Sequence, residues 1–523
     1  MNFFKCSIIS FFILFSFYCS AGELSFKVLP YIQETTATGL KIRWERPLED
    51  GAKVRVGKLN SDNEIEFNAE LLYRERFRIH RKKTGIYESK IEGLLPNTSY
   101  YYQIILADNQ SSIYNFKTLN DEKEDFSFLI LADAQHGQEI TSKIVQESVI
   151  YRTFSNNPDK AVFPPRFSLF PGDLVQHGIL KHEWKKQFFT PMAPLLHRLA
   201  IYPVRGNHEM GSYFFNKYFS LPRSTSSDPK LNYYFFDYSN VRFINLDTNL
   251  KFRNKKQINW LKIAMREAIN NQAIDFIVLQ FHHPFKSEAW PFGNTDFTGQ
   301  IEDTINEMAN ETDKPIIYFN GHTHAYSRGH HPKNRLTMIT VGPIGGAIDK
   351  WNRRSKDYID YQKTIEQYGW AMTKVKATGG KPSLEIIRYG FGDENDLQDK
   401  GINDRYKINR YSNRPEKPSI IHSILDKDIL TIHGTPYEGD ETHLSTEVKL
   451  IKSTKRGRPQ EESFYFHQHN IFNGKEHNKH KELTLVELPS KIGKNEDIKI
   501  KIRYRNNSLV WSEWSEEFQQ LKN

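Results

Sequence analysis

The chain has 523 residues, with 72 Lys or Arg against 63 Asp or Glu and a formal charge of +9. That length exceeds what one hydrophobic core sustains and predicts roughly two to four domains; aromatic residues reach 13% and no low-complexity run argues for disorder. A basic surface suits anionic partners such as phosphoesters, but no Lys/Arg block forms a nucleic-acid arm, so nucleic acid is not indicated.

The first element, residues 1–21, runs Met1-Asn2-Phe3-Phe4-Lys5, an apolar stretch from Ile8 to Phe17, then Cys19-Ser20-Ala21. A basic head, an apolar middle and small residues before a cut after Ala21 predict a signal peptide, hence a secreted or periplasmic protein. The apolar stretch is too short to span a bilayer, and no later segment reads as transmembrane. Lipoprotein processing at Cys19 ranks second, because bulky Tyr18 before it fits poorly. Both cysteines, Cys6 and Cys19, fall in this leader. The mature chain would therefore carry no disulfide, no zinc–thiolate site and no thiol catalysis.

Residues 24–118 alternate over short stretches such as Lys41-Ile42-Arg43-Trp44-Glu45 and Lys53-Val54-Arg55-Val56, separated by turn residues such as Leu95-Pro96-Asn97-Thr98. A small β-sandwich is expected. Asp121–Asp125 reads as a charged linker. From 126 to 398 the grammar changes: Phe126–Ala132, Phe167–Phe170, Ile201–Val204, Phe276–Gln280 and Ile316–Phe319 are short buried-type strands. Leu261, Ala264, Met265 and Ala268 recur at helical spacing between two of them, so an amphipathic helix packs on the sheet. Strands alternating with helices predict an α/β layered domain. Asn413–Pro418 reads as a second linker, and residues 417–523 as a further β-sandwich. There Lys501, Arg503 and Arg505 share one face of a strand ahead of Trp511-Ser512-Glu513-Trp514-Ser515. Cations over indoles are favourable by roughly 0.5–2 kcal/mol each, and a structural ladder is preferred to a carbohydrate- or partner-binding surface. His467, His469, His477 and His480 are metal-like in spacing but lie in a polar, loop-rich stretch and are read as surface residues.

The chemistry concentrates at the ends of the central strands: Asp133-Ala134-Gln135, Gly172-Asp173-Leu174-Val175-Gln176, Gly206-Asn207-His208-Glu209, Phe281-His282-His283-Pro284 and Gly321-His322-Thr323-His324. Singly, each could be a turn or a cap. In α/β sheets, however, functional groups converge beyond the strands' carboxyl ends. Together the segments hold what a two-metal phosphoester site requires: a carboxylate to bridge two ions roughly 3.5–4 Å apart, with Asp, Asn and His to complete two open shells.

This order of motifs resembles the calcineurin-like metallophosphoesterases. Gly321-His322-Thr323-His324-Ala325-Tyr326-Ser327-Arg328 and the preceding sandwich resemble the purple acid phosphatase branch, whose N-terminal domain is fibronectin type III-like. The resemblance implies a multidomain fold with a central α/β metallophosphoesterase between two fibronectin type III-like sandwiches. It implies that Asp173 bridges the metals, that Asp133 and His324 serve the first, and that Asn207, His282 and His322 serve the second. His208 would lie beside the substrate, holding phosphate or protonating the departing alkoxide, and Glu209 could orient it. The glycine pair Gly345-Gly346 resembles the family's closing glycines.

Two departures matter. Purple phosphatases carry an iron(III)-binding Tyr three residues after the bridging Asp; here Gln176 stands there. Relatives use His two residues after the first Asp; here Gln135 stands there and could bind through its carbonyl oxygen. His136 and His177 are each one residue out of place, so they are read, with His283, as substrate contacts rather than ligands. His330-His331 would border the pocket or lie on the surface. The expectation is a colourless hydrolase with two divalent or trivalent ions (Zn, Mn or Fe) and no Tyr-ligated Fe(III). It would be a phosphomonoesterase using metal-activated hydroxide on small phosphoesters, with the oligomeric state open. A phosphodiesterase on the same site and a non-catalytic binding protein on a phosphatase scaffold are the alternatives.

Overall fold

The computed structural model describes residues 24–75, 83–107, 109–155, 164–209, 211–222, 232–426, 428–452, 459–467, 482–489 and 498–520. The expected leader at 1–21 and the histidines at 469, 477 and 480 lie outside them.

The alternating N-terminal strands pair into two sheets. Val28–Gln33, Gly39–Pro47, Thr84–Glu92 and Glu70–Arg74 form one, and the other is built around Lys53–Lys58 and Ser99–Leu106. Ile42, Trp44 and Tyr87 from one meet Val54, Tyr102 and Ile104 from the other in a single core, which makes the sandwich. The charged segment after it is docked rather than loose. Glu124 pairs with Arg166, and Asp125 accepts from the backbone nitrogens of Ala377 and Thr378, both at 2.8 Å.

The central region stacks two sheets. In the first, Phe126–Ile130 lies parallel to Pro165–Phe170, which lies parallel to Ala200–Pro203. In the second, Val241–Asn245, Phe276–Gln280, Ile316–Asn320 and Leu336–Thr340 run parallel in that order. Antiparallel strands extend both sheets, to six and seven strands. Their inner faces enclose an aromatic core in which Phe243 meets Phe128 and Phe167 edge-on, each at 5.1 Å. Burial on both sides explains why these strands read as continuous apolar runs.

Helix Lys255–Asn270 starts where the Asn254 side chain accepts from Lys256 N and Gln257 N, and it buries the expected stripe of Leu261, Ala264, Met265 and Ala268. Two further helical stretches cover the outside of the first sheet, Gln138–Ile144 continuing into Val145–Ile150 and Trp184–Phe189 continuing into Thr190–Leu196. Val145–Ile150 and Trp184–Phe189 are wound as π-helix, a form that tends to occur near functional sites.

The C-terminal strands form two sheets around one core, where Leu430, Ile432 and Val486 meet Val448, Ile500 and Ile502. Arg503 sits between Trp511 and Trp514, 4.5 Å from each ring, and Arg505 covers Trp511 at 5.1 Å. The remaining rung corrects the expectation. It is Lys449, 4.9 Å from Trp514, which stands directly opposite Lys501 on the neighbouring strand. The ladder is also an anchor. Trp511 Nε1 donates to Pro332 O at 3.1 Å, Arg505 donates to the carbonyls of His331 and Asn334, and Arg335 Nε donates to Ser508 O at 2.9 Å. His330 borders neither pocket nor surface; it is fully buried between Arg328 and Thr337. No helix among the described residues is long and apolar enough to cross a membrane.

Candidate metal centre

Each of the five strand ends delivers its polar residue to one place. The turn out of the strand is tight: Asp133, Asp173 and His322 adopt φ of +54°, +55° and +68°. Such a conformation is costly for a residue with a Cβ and is typical of strain held at functional sites. Gly206 permits the closest approach, since a Cβ there would lie 2.0 Å from Asp173 Oδ1. Gly346 does the same for His324, whose ring a Cβ would meet at 2.4 Å, while the Gly345 and Gly346 nitrogens donate to Asp133 O.

Asp173 Oδ2 is the shared vertex. Around it, His282 Nε2 lies at 3.1 Å, the Gln135 amide at 3.3 Å and His208 Nε2 at 3.8 Å. On one side, His282 Nε2 is 2.9 Å from Asn207 Oδ1 and 3.2 Å from His322 Nδ1. These are the separations of donors meeting on one cation. On the other side, the Gln135 amide is 3.0 Å from His324 Nε2, and Asp133 Oδ1 is 3.8 Å from the same nitrogen.

Backbone carbonyls set the rings. His282 Nδ1 donates to Pro171 O at 2.8 Å, and His324 Nδ1 donates to Ala347 O at 2.6 Å, leaving both Nε2 atoms turned inward. His208 Nδ1 donates to Gln176 O at 2.7 Å, and its backbone N–H donates to Asp173 Oδ1.

The electrostatics suit bound cations. Burial pushes the Asp133 carboxyl up to about 6, against the pull of His324 and His282. Burial also opposes ionisation of Asp173, yet His282 and His208 hold its carboxyl well below the ordinary range. His322 is pushed down to about 3 by burial and by His282. Two buried acceptors, Asp133 Oδ2 and Gln135 Oε1, have no hydrogen-bond partner among the described residues. Buried atoms left so are costly unless an ion or water meets them. The residues present thus fit a pair of metal ions. Asp173, Asn207, His282 and His322 would hold one, and Asp173, Asp133, His324 and Gln135 the other. The O and N of an amide are assigned from their neighbours. Rotating the Gln135 amide by half a turn would put its oxygen where its nitrogen now stands, facing Asp173 and His324.

The other expected residues divide. Glu209 does not orient the His208 ring. It is fully buried and accepts from the backbone nitrogens of Asp173, Val175 and Gly206 at 2.8–3.0 Å, clamping two ligand loops together. Burial and the Asp173 charge push its carboxyl up to about 8. His177 is turned away, its Nδ1 3.0 Å from Glu183 and its ring 56% exposed. His136 is exposed, with φ of +66°. His283 is buried beside His322, bonded to Thr248 Oγ1 at 2.7 Å.

Sequence reasoning missed a sixth loop, Leu246–Asn249, after strand Val241–Asn245. Thr248 holds His283, and Asn249 Nδ2 donates to the carbonyls of Arg205 and Gly206 just before Asn207. Its signal was a polar run directly following a buried strand. Gln187, in the π-wound turn, was also missed. Its Oε1 accepts from Gln176 N at 2.7 Å and from His136 N at 3.5 Å, tying together the loops that follow Asp133 and Asp173.

Residues 126–326 match the calcineurin-like phosphoesterase family, and residues 28–118 match the purple acid phosphatase N-terminal domain. Purple acid phosphatase 15 of Arabidopsis thaliana is 23% identical over 185 residues, 32% of this chain and 32% of that protein. The match therefore spans about a third of that relative's length. Among solved structures, purple acid phosphatase PPD1 from yellow lupin (Lupinus luteus) seeds superposes with a TM-score of 0.55 at 15% identity, covering 72% of this chain and 73% of that one. PhoD superposes with a TM-score of 0.51 at 11% identity, covering 73% and 93%. At these identities the structural likeness concerns the fold. The two domain matches show that this chain carries a calcineurin-like metallophosphoesterase domain preceded by a purple acid phosphatase N-terminal domain.

Proposed function

We propose that the protein is an exported phosphomonoesterase. The observation that carries this reading is Asp173 Oδ2, a buried carboxylate oxygen within 3.3 Å of both His282 Nε2 and the Gln135 amide, common to two sets of donors. A metal pair there supplies a nucleophile from water near neutral pH and neutralises charge on the phosphoryl oxygens. Asn207, His282, His322, Asp133 and His324 fix where that charge is placed, and their backbone and carbonyl partners keep them from turning away. His208 has its Nδ1 proton committed to Gln176 O, so Nε2 is the atom free to bond the phosphate or to pass a proton to the leaving oxygen. Binding then depends mainly on the phosphate, which suits monoesters of varied alcohols.

The test is parallel hydrolysis of p-nitrophenyl phosphate and bis(p-nitrophenyl) phosphate by metal-loaded protein. Faster cleavage of the monoester is expected; exclusive cleavage of the bis-ester would make this a phosphodiesterase. Export through the leader 1–21 belongs to the same proposal. N-terminal sequencing of the mature protein is expected to begin at Gly22.

A further inference from the structure

Beside the candidate metal centre lies a cavity of about 500 Å³, whose lining includes His322, His283, Arg253, Phe292, Asn294 and Phe297. It shares His322 with the metal-binding set, so a phosphoester held at the metals has its alcohol half within reach of this space.

Arg253 is the only cationic side chain among the cavity's described lining residues other than its histidines. It follows the short turn Leu250–Phe252 and precedes Asn254, the cap of helix Lys255–Asn270. Its Nε donates to Thr248 O at 2.8 Å, the same residue whose hydroxyl bonds His283, so one loop sets both the guanidinium and the imidazole. That single bond uses one of the five N–H donors of the guanidinium. Among the described residues, Arg253 makes no ion pair, and no acceptor is assigned to its terminal nitrogens. The neighbouring charge it feels is Asp247, which is buried and occupied by Asn249 and Asn232. A half-buried guanidinium with its fork unengaged, in a cavity next to a phosphoester site, is arranged to take an oxyanion.

Resting on the phosphomonoesterase reading, we propose that Arg253 is a specificity-determining residue for a second anionic group, phosphate or carboxylate, on the alcohol half of the substrate. The preferred substrates would be phosphomonoesters whose leaving group is itself an anion. Gly293 helps to keep the cavity open: a Cβ there would meet Trp290 at 2.9 Å and the His322 ring at 3.2 Å.

The test compares substrates that share a skeleton and differ by one anionic group, a carboxylate or a phosphate: 3-phosphoglycerate with glycerol 3-phosphate, and fructose 1,6-bisphosphate with fructose 6-phosphate. The wild-type kcat/KM ratio is expected to favour the doubly anionic member about 10-fold or more, the order set by a charge-assisted hydrogen bond. Arg253→Gln is expected to collapse that ratio and Arg253→Lys to restore part of it. Wild type without preference, or a ratio unaltered in Arg253→Gln, would overturn the proposal. If the metal-loaded protein hydrolyses none of these, the enzymatic reading fails instead. The anion subsite is then read by calorimetric binding of fructose 1,6-bisphosphate, expected about 10-fold weaker in Arg253→Gln, with equal binding overturning it.

Discussion

The two halves of the metal centre share one carboxylate and differ in almost everything else. Around His282 the donors are an anion, an amide oxygen and two imidazoles, separated by 2.9–3.2 Å. Around His324 the spacing opens to 3.8 Å from Asp133, a neutral amide stands where relatives place an imidazole, and two acceptor atoms lack partners among the described residues. Both halves hold a turned-in ring and a strained turn, at His282 and His322 on one side and at His324 and Asp133 on the other, so the contrast lies in how closely the donors already stand together. The tighter half should therefore bind its ion first and release it last.

The largest test of that contrast removes what the halves share. Asp173→Ala is expected to cost activity about 10³-fold or more, the scale on which a charge-stabilising group acts, and to leave fewer than two ions per chain by elemental analysis. Full turnover in a folded, metal-depleted sample would dismantle the whole comparison. Next comes graded chelation. One ion should leave well before the other, at chelator strengths differing by roughly 10–100-fold, the range over which ligand support alters metal affinity. Simultaneous loss would show the halves to be equivalent. A third test sharpens the weak half. Gln135→His should hold the labile ion against about 10-fold more chelator. Gln176→Tyr, loaded with iron(III), should gain a visible charge-transfer band that wild type lacks; a coloured wild type would refute the assignment. The smallest effect is expected at Gln187. Its replacement by Ala removes an acceptor from Gln176 N and His136 N, costing about 1 kcal/mol of stability and a few-fold in kcat, measured by thermal unfolding and steady-state kinetics.

The residues that converge on the candidate centre were legible in the sequence because each stands at the end of an apolar run, and buried parallel strands are the most recognisable local pattern. The stripe of Leu261, Ala264, Met265 and Ala268 was readable for the same reason. The supporting residues were not. That Glu209 clamps backbone nitrogens instead of steering His208 depends on a loop thirty-odd positions upstream folding over it. Gln187, Thr248 and Asn249 are ordinary polar residues until the sheet stacking selects their partners. The Lys449 rung was hidden too, because strand register across a long connection leaves no mark in either strand.

The guanidinium–indole stack has a mechanical consequence. It fastens the C-terminal module to the hairpin of strands Tyr326–His330 and Leu336–Thr340, which leaves the loop bearing His322 and His324. Removing the residues beyond 418 would take away Ser508 O, leaving Arg335 Nε without that acceptor at the turn of the hairpin, and would free Pro332 O and the carbonyls of His331 and Asn334 from their Trp511 and Arg505 donors. The far module is thus a buttress for the reaction chamber, and the two should melt as one body.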